Sequence, residues 1–218
     1  MKANCKFLLT LIITAFIGAI SSSQLLAQNS TARGGIKGGL NVSNLYSDEI
    51  DDENARYGLN VGVYGQFLSS EVFAIQPELL FTTKGAQADY NGLFGNQTAK
   101  FNLNYLELPV LAVFKLGSSA EIHAGGYAAY LLSANIKYEG DFSNGIDQLD
   151  RDQFKHGDAG LVGGFGLNFG AVQVGARYNY GLVEIADTNS SRNVLGDSKN
   201  SCATVYLAFN LTENYINR

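Results

Sequence analysis

The sequence predicts an all-β protein, an eight-stranded antiparallel up-and-down barrel in the outer membrane. Three observations predict it. The chain opens with an export leader, its hydropathy alternates with a period of two, and its connections run long and short in strict alternation.

The leader sets the compartment. Lys2 and Lys6 precede an apolar run from Phe7 to Ile20, and a Ser-rich stretch leads to Ala27. This is the form of a secretory signal peptide. The run falls short of the roughly 20 residues that a spanning helix requires, so residues 1–27 are expected to be cleaved and 28–218 to form the barrel domain. Leu25 is bulkier than the residue preferred three positions from such a site, which leaves the cut uncertain by a few residues. The leader carries both of those lysines and no acid, so its removal takes the formal charge from −5 to −7. A chain that acidic is not expected to bind nucleic acid. Cys5 leaves with the leader, and Cys202 then has no partner within the chain for a disulfide.

Eight segments alternate. In 57–68, Tyr57, Leu59, Val61, Val63 and Phe67 share one face, and Gly58, Asn60, Gly62 and Gln66 share the other. In 121–139, Ile122, Ala124, Ala128, Tyr130, Leu132, Ala134 and Ile136 oppose Glu121, His123, Gly125, Ser133, Asn135 and Lys137. In 172–180, Val172, Val174, Ala176, Tyr178 and Tyr180 oppose Gln173, Gly175, Arg177 and Asn179. In 203–211, Ala203, Val205, Leu207, Phe209 and Leu211 oppose Thr204, Tyr206 and Asn210. Less regular strands are expected over 35–43, 72–84, 100–116 and 158–169.

The long connections are 44–56, 85–99, 140–157 and 182–200, and the short ones lie near Ser69 and Ser70, at 117–119 and at Gly170 and Ala171. All tight turns therefore fall at one end, as in outer-membrane barrels with short periplasmic turns and longer external loops. A soluble sandwich mixes loop lengths at both ends. Aromatic residues sort the same way: Phe67, Phe73, Phe114, Phe169 and Phe209 towards the short-turn rim, and Tyr57, Phe81, Phe101, Tyr138 and Tyr180 towards the long-loop rim. These form two girdles, although no Trp contributes. The last strand is expected to pair with the first, because an open edge cannot face lipid.

Several segments resemble the PorT family of outer-membrane barrel proteins. They are GIKGGLNVSNL at 35–45, IQPELLFTTKGA at 75–86, LNYLELPVLAVFKL at 103–116, VGARYNYGLVEI at 174–185 and the DAGLVGGFG run that starts at Asp158. The resemblance implies an eight-stranded barrel. For the founding member it implies a part in protein export across the outer membrane by the type IX system. It supplies no catalytic motif.

Pro77 and Pro109 each remove a ladder donor, so they are expected to mark bulges. Around Pro109 the apolar phase reads as switching from Phe101, Leu103 and Tyr105 to Leu106, Leu108 and Val110. By phase, Lys37, Glu78, Glu107, His123 and Arg177 point into the lumen, joined by Gln76, Tyr127, Gln173 and Tyr206. Eight strands leave an interior that side chains can fill, so these charges are expected to form one ion-paired plug. In it Arg177 or Lys37 would neutralise the repelling pair Glu78 and Glu107.

Catalytic chemistry finds little support. Gly163, Gly164 and Gly166 lie in a strand with no helix after them, unlike a phosphate-binding loop. His123 and His156 are too few and too separated for a metal centre, and no cofactor pattern is present. Ser133 and His123 stand too far apart along one strand to act as a hydrolase pair.

Asp48, Glu49, Asp51, Asp52 and Glu53 crowd the first long loop. They read as a solvated tip or as a Ca²⁺ site that bridges lipopolysaccharide phosphates. Asp141, Asp147, Asp150 and Asp152 of the third long loop read the same way. The expected function is therefore a non-enzymatic envelope component, structural or binding through its outer loops, with membrane lipid and lipopolysaccharide as its surroundings. A narrow channel and an accessory of protein export, with secretion proteins as partners, are the alternatives.

Overall fold

The computed structural model describes residues 33–46, 54–92, 95–140, 145–148, 155–184 and 198–211. Every regular element among them is a strand: β1 (Gly34–Tyr46), β2 (Asn54–Gly65), β3 (Phe73–Lys84), β4 (Ala86–Gly92), β5 (Gly95–Leu116), β6 (Ala120–Gly140), β7 (Gly145–Gln148), β8 (Gly157–Phe169), β9 (Val172–Glu184) and β10 (Lys199–Asn210). β4 continues β3 beyond Gly85, whose φ of 141° belongs to the region that favours glycine. β7 is a short strand laid along the outer end of β6.

The remaining strands form eight antiparallel staves that close on themselves. β1 pairs with β10 from Gly35↔Asn210 to Tyr46↔Lys199, and with β2 from Gly34↔Gly65 to Ser43↔Arg56. The circuit runs on through β3, β5, β6, β8 and β9 back to β10. Closure leaves no stave edge to lipid, which cannot satisfy a bare amide or carbonyl. Tight turns at Gly117–Ser119 and Gly170–Ala171 join consecutive staves. Gly117 and Gly170 take φ values of 69° and 62°, which a hairpin turn demands and other residues resist.

Alternation sorts each stave into a lumenal and an outer face. β10 buries Cys202, Thr204, Tyr206 and Ala208, and it exposes Val205 (63 %) and Leu207 (48 %). Leu40, Leu59, Val61, Leu161 and Phe165 are likewise exposed. A continuous apolar exterior of this extent is unstable in water and is what a hydrocarbon solvent selects.

The structure corrects several expectations. Residues 85–99 are mostly strand rather than loop, because β4 and the start of β5 form a hairpin from Gln87↔Lys100 to Gly92↔Gly95. In the sequence Ala86, Ala88 and Tyr90 alternate with Gln87, Asp89 and Asn91, a contrast too weak and too short to read as a strand. At 22 and 21 residues, β5 and β6 run to about twice the roughly 9–11 residues that cross a membrane.

The phase switch in β5 is absent. Leu103, Tyr105, Glu107, Pro109, Leu111 and Val113 are all buried, and Leu106, Leu108 and Val110 occupy the other face. Both faces of β5 are apolar, so the pattern gave a false change of phase. The irregularity lies on β6 instead. The β5–β6 register moves from Asn104↔Ser133 to Tyr105↔Leu131, which leaves Leu132 as the extra residue. Beyond it the buried positions pass from Leu131 to Ala134, so Ala134 faces inward.

The prolines mark no bulges, since register is preserved on both sides of each. Pro109 stands opposite Glu78 in a gap between Pro77↔Val110 and Leu80↔Glu107. Pro77 falls in a gap between Tyr64↔Glu78 and the Phe67↔Ile75 bridge.

Candidate functional site

The candidate site is the lumen. One wall is apolar, built from Leu103, Tyr105, Leu111 and Val113 of β5, Tyr127, Ala129, Leu131 and Ala134 of β6, Ala74 of β3 and Val162 of β8. Charged side chains enter the lumen from β1, β3, β5, β6, β8 and β9 and gather in two groups at different heights.

The lower group lies towards the short turns and centres on Glu78. Lys37 Nζ of β1 is 2.7 Å from Glu78 Oε1, and Arg177 of β9 forks onto the same carboxylate, with Nη1 2.7 Å from Oε2 and Nη2 3.0 Å from Oε1. Gln76 Nε2 also donates to Oε1 at 2.7 Å, and Gln66 Nε2 donates to Gln76. Lys37 Nζ sits 4.2 Å from the centre of the Tyr206 ring, a cation–π contact in a desolvated setting.

Beside this group His123 Nε2 is 2.8 Å from Glu121 Oε1. Its Nδ1 faces Arg177 Nη2 and the Tyr206 hydroxyl, both at 3.5 Å. Arginine can only donate, so Nδ1 accepts, and the network assigns the ring proton to Nε2, which donates to Glu121. Gln173 Nε2 donates to Glu121 Oε1 at 2.6 Å, and Arg33 lies 3.6 Å from Oε2 at the short-turn mouth.

The upper group lies towards the long loops. Lys84 Nζ is 2.7 Å from Glu107 Oε2 and 3.5 Å from Asp158 Oδ2. Asn179 donates to Glu107 Oε1, and Tyr127 and Asn200 donate to Asp158 Oδ2. Lys84 Nζ rests 4.3 Å from the centre of the Tyr127 ring. Beside it, Asn41 Nδ2 donates to Thr82 Oγ1 and Thr204 Oγ1 donates to Asn41 Oδ1, which closes a polar band between β1, β3 and β10.

Lys37, Glu78, His123 and Arg177 thus meet, but Glu107 does not join them. Glu78 lies opposite Pro109 rather than Glu107, and each carboxylate has its own lysine. The expected single cluster is two. Lys84, Glu121, Asp158, Asn179 and Asn200 were missed as members. Parity could have found Lys84, which shares the phase of Gln76 and Glu78, and Asp158, which shares that of Val162. Asp48, Glu49, Asp51, Asp52 and Glu53 lie outside the described residues, as do Asp141, Asp150 and Asp152.

Across the two groups four cationic side chains, Arg33, Lys37, Lys84 and Arg177, face four carboxylates, Glu78, Glu107, Glu121 and Asp158. Balanced, hydrogen-bonded charge is the condition under which ions tolerate burial. Glycines make room for the larger lumenal groups. At Gly175 a Cβ would stand 2.3 Å from Tyr206 Cζ, and at Gly160 one would stand 2.7 Å from Tyr127 Cε1.

A closed antiparallel sheet with an apolar exterior and charge paired inside defines a transmembrane β-barrel of the bacterial outer membrane. The chain belongs to the outer membrane protein beta-barrel domain family, whose model matches residues 24–187. No curated protein matches it. Among solved structures it is similar to Ail, the attachment invasion locus protein of Yersinia pestis, in complex with the heparin analogue sucrose octasulfate. Identity is 12 %, with 83 % of this chain and 99 % of that one covered and a TM-score of 0.47. Neisserial surface protein A is similar at 12 % identity, with coverages of 81 % and 96 % and a TM-score of 0.48. OprG from Pseudomonas aeruginosa is similar at 14 % identity, with coverages of 82 % and 91 % and a TM-score of 0.37.

Proposed function

We propose that this protein is a non-enzymatic envelope barrel whose membrane part is a sealed scaffold and whose work is done by the strands and loops outside the membrane. The observation that carries the reading is the lumen. Lys37, Glu78 and Arg177 at one height, and Lys84, Glu107 and Asp158 at another, occupy the path a solute would take, and each is at least nine-tenths buried. An eight-stranded interior has little room beyond such side chains. The length of β5 and β6 supports the second half of the reading, since their outer ends, with β4 and β7, form a sheet beyond the membrane's reach. Lipid and lipopolysaccharide are the surroundings in which that sheet acts.

A second reading, an accessory of protein export, is favoured by the PorT-like segments at 35–45, 75–86, 103–116 and 174–185. A deletion strain separates the two. Weakened envelope integrity with normal secretion is expected for the scaffold, and failed secretion with an intact envelope supports the export role. Proteoliposomes test the seal: the folded protein should not speed swelling in a small-sugar solution beyond that of protein-free liposomes.

A further inference from the structure

A closed sheet has no edge on which to hide a proline, yet this barrel places two of them at one height. Pro77 stands where the β2–β3 ladder is interrupted, between Tyr64↔Glu78 and Phe67↔Ile75. Pro109 stands where the β3–β5 ladder is interrupted, between Pro77↔Val110 and Leu80↔Glu107. The two gaps are adjacent and staggered: Gln76 and Pro77 lack a β2 partner but keep Leu111 and Val110 of β5, and Glu78 and Leu79 lack a β5 partner but keep Tyr64 and Val63 of β2. No bulge takes up either loss, so both gaps lie in sheet that is otherwise in register.

The outer end of β3 is also weakly laddered to β2. Paired residues stop at Asn60↔Thr82. Past that point the Thr83 hydroxyl stands in for a backbone group, accepting from Leu59 N at 2.7 Å. The carbonyls of Thr83, Lys84 and Gly85 accept from the side chains of Asn41, Arg56 and Ser43. By contrast, β10 is paired along its whole length to β1 and, past one irregularity, to β9.

At each gap β3 has one ladder in place of two, and a side chain adds to it. Glu78 reaches across the lumen to Lys37 on β1 and Arg177 on β9. These are staves to which β3 is not laddered. Charge-assisted bonds in a desolvated interior are stronger than the ladder bonds the prolines remove.

We propose that β3 is a displaceable stave of the barrel wall, latched by Glu78 to Lys37 and Arg177. Release of the carboxylate leaves β3 held at each gap by a single ladder, so that the wall parts there towards the membrane. The prolines make that opening local, because the ladders above and below each gap keep their register.

Hydrogen exchange of the folded full-length mature protein in lipid nanodiscs, read by mass spectrometry, tests this. In the wild type the β3 segment 73–84 should exchange at least about tenfold faster than the β10 segment 199–210. Glu78→Gln should speed exchange in 73–84 by about a further tenfold and leave 199–210 unchanged, whereas Pro109→Val, which restores a donor on β5, should slow 73–84 and its β5 neighbour 103–116 and leave 199–210 unchanged. Equal protection of β3 and β10 in the wild type overturns the proposal. So does an equal acceleration of every strand in Glu78→Gln, which marks a global loss of stability. If Glu78→Gln does not fold, the wild type and Pro109→Val still decide.

Discussion

Arg177 of β9 grips Glu78 of β3 through both guanidinium nitrogens, at 2.7 and 3.0 Å, across a lumen that neither residue's own ladder spans. This bidentate contact has consequences for stability. Arg177→Ala leaves Glu78 with Lys37 and the neutral Gln76 amide, and should destabilise the folded barrel by about 3–5 kcal/mol, the usual cost of removing one partner from a buried pair. Arg177→Lys should recover only part of that, since an ammonium cannot fork. Urea titration in lipid vesicles, followed by the folded fraction on unheated gels, measures both.

The division of the lumen into two groups makes a separate prediction. A double-mutant cycle between Lys84 and Glu107, which lie 2.7 Å apart, should return a coupling of about 1–3 kcal/mol. The cycle between Glu78 and Glu107 should return about 0.5 kcal/mol or less. A large coupling between the two glutamates would restore the single cluster that strand phase alone suggested.

That suggestion shows where the sequence was legible. On β9 and β10 the lumenal residues are polar and the outer ones apolar, so Gln173, Arg177, Thr204 and Tyr206 could be placed by parity. β5 packs Leu103, Tyr105, Leu111 and Val113 against its neighbours inside and presents Leu106, Leu108 and Val110 outside. Periodicity cannot orient a strand that is apolar on both faces. The outer hairpin failed for another reason, since Ala86, Ala88 and Tyr90 contrast too weakly with Gln87, Asp89 and Asn91 to read as a strand. The pairing of Lys84 with Glu107 depends on reach across the lumen, which no strand pattern records.

Lumenal packing predicts a contrast between two glycines. An added methyl at Gly175 meets Tyr206 Cζ at 2.3 Å and the Phe165 carbonyl oxygen at 2.6 Å, whereas one at Gly163 meets nothing within 4 Å. Gly175→Ala should cost about 1–3 kcal/mol through overpacking. Gly163→Ala should stay within about 0.5 kcal/mol of the wild type. The same urea titration resolves the two.

Sidedness follows from the turns. The long connections should lie outside the cell and the tight turns in the periplasm. Cys202 is buried in the lumen, so it should not react and need not be removed. On intact cells a membrane-impermeant maleimide should label Asp147→Cys and spare Ser118→Cys, and the reverse pattern would invert the topology.

The sealed lumen is the central claim, and single-channel recording in planar lipid bilayers tests it most directly. The folded wild-type protein should insert without a steady current at 1 M KCl, because Lys37, Glu78, Arg177, Lys84 and Glu107 fill the cross-section at two heights. A stable, ion-selective conductance from the wild type, altered in selectivity by Arg177→Ala while the folded fraction holds, would contradict the account and make the lumen a pore.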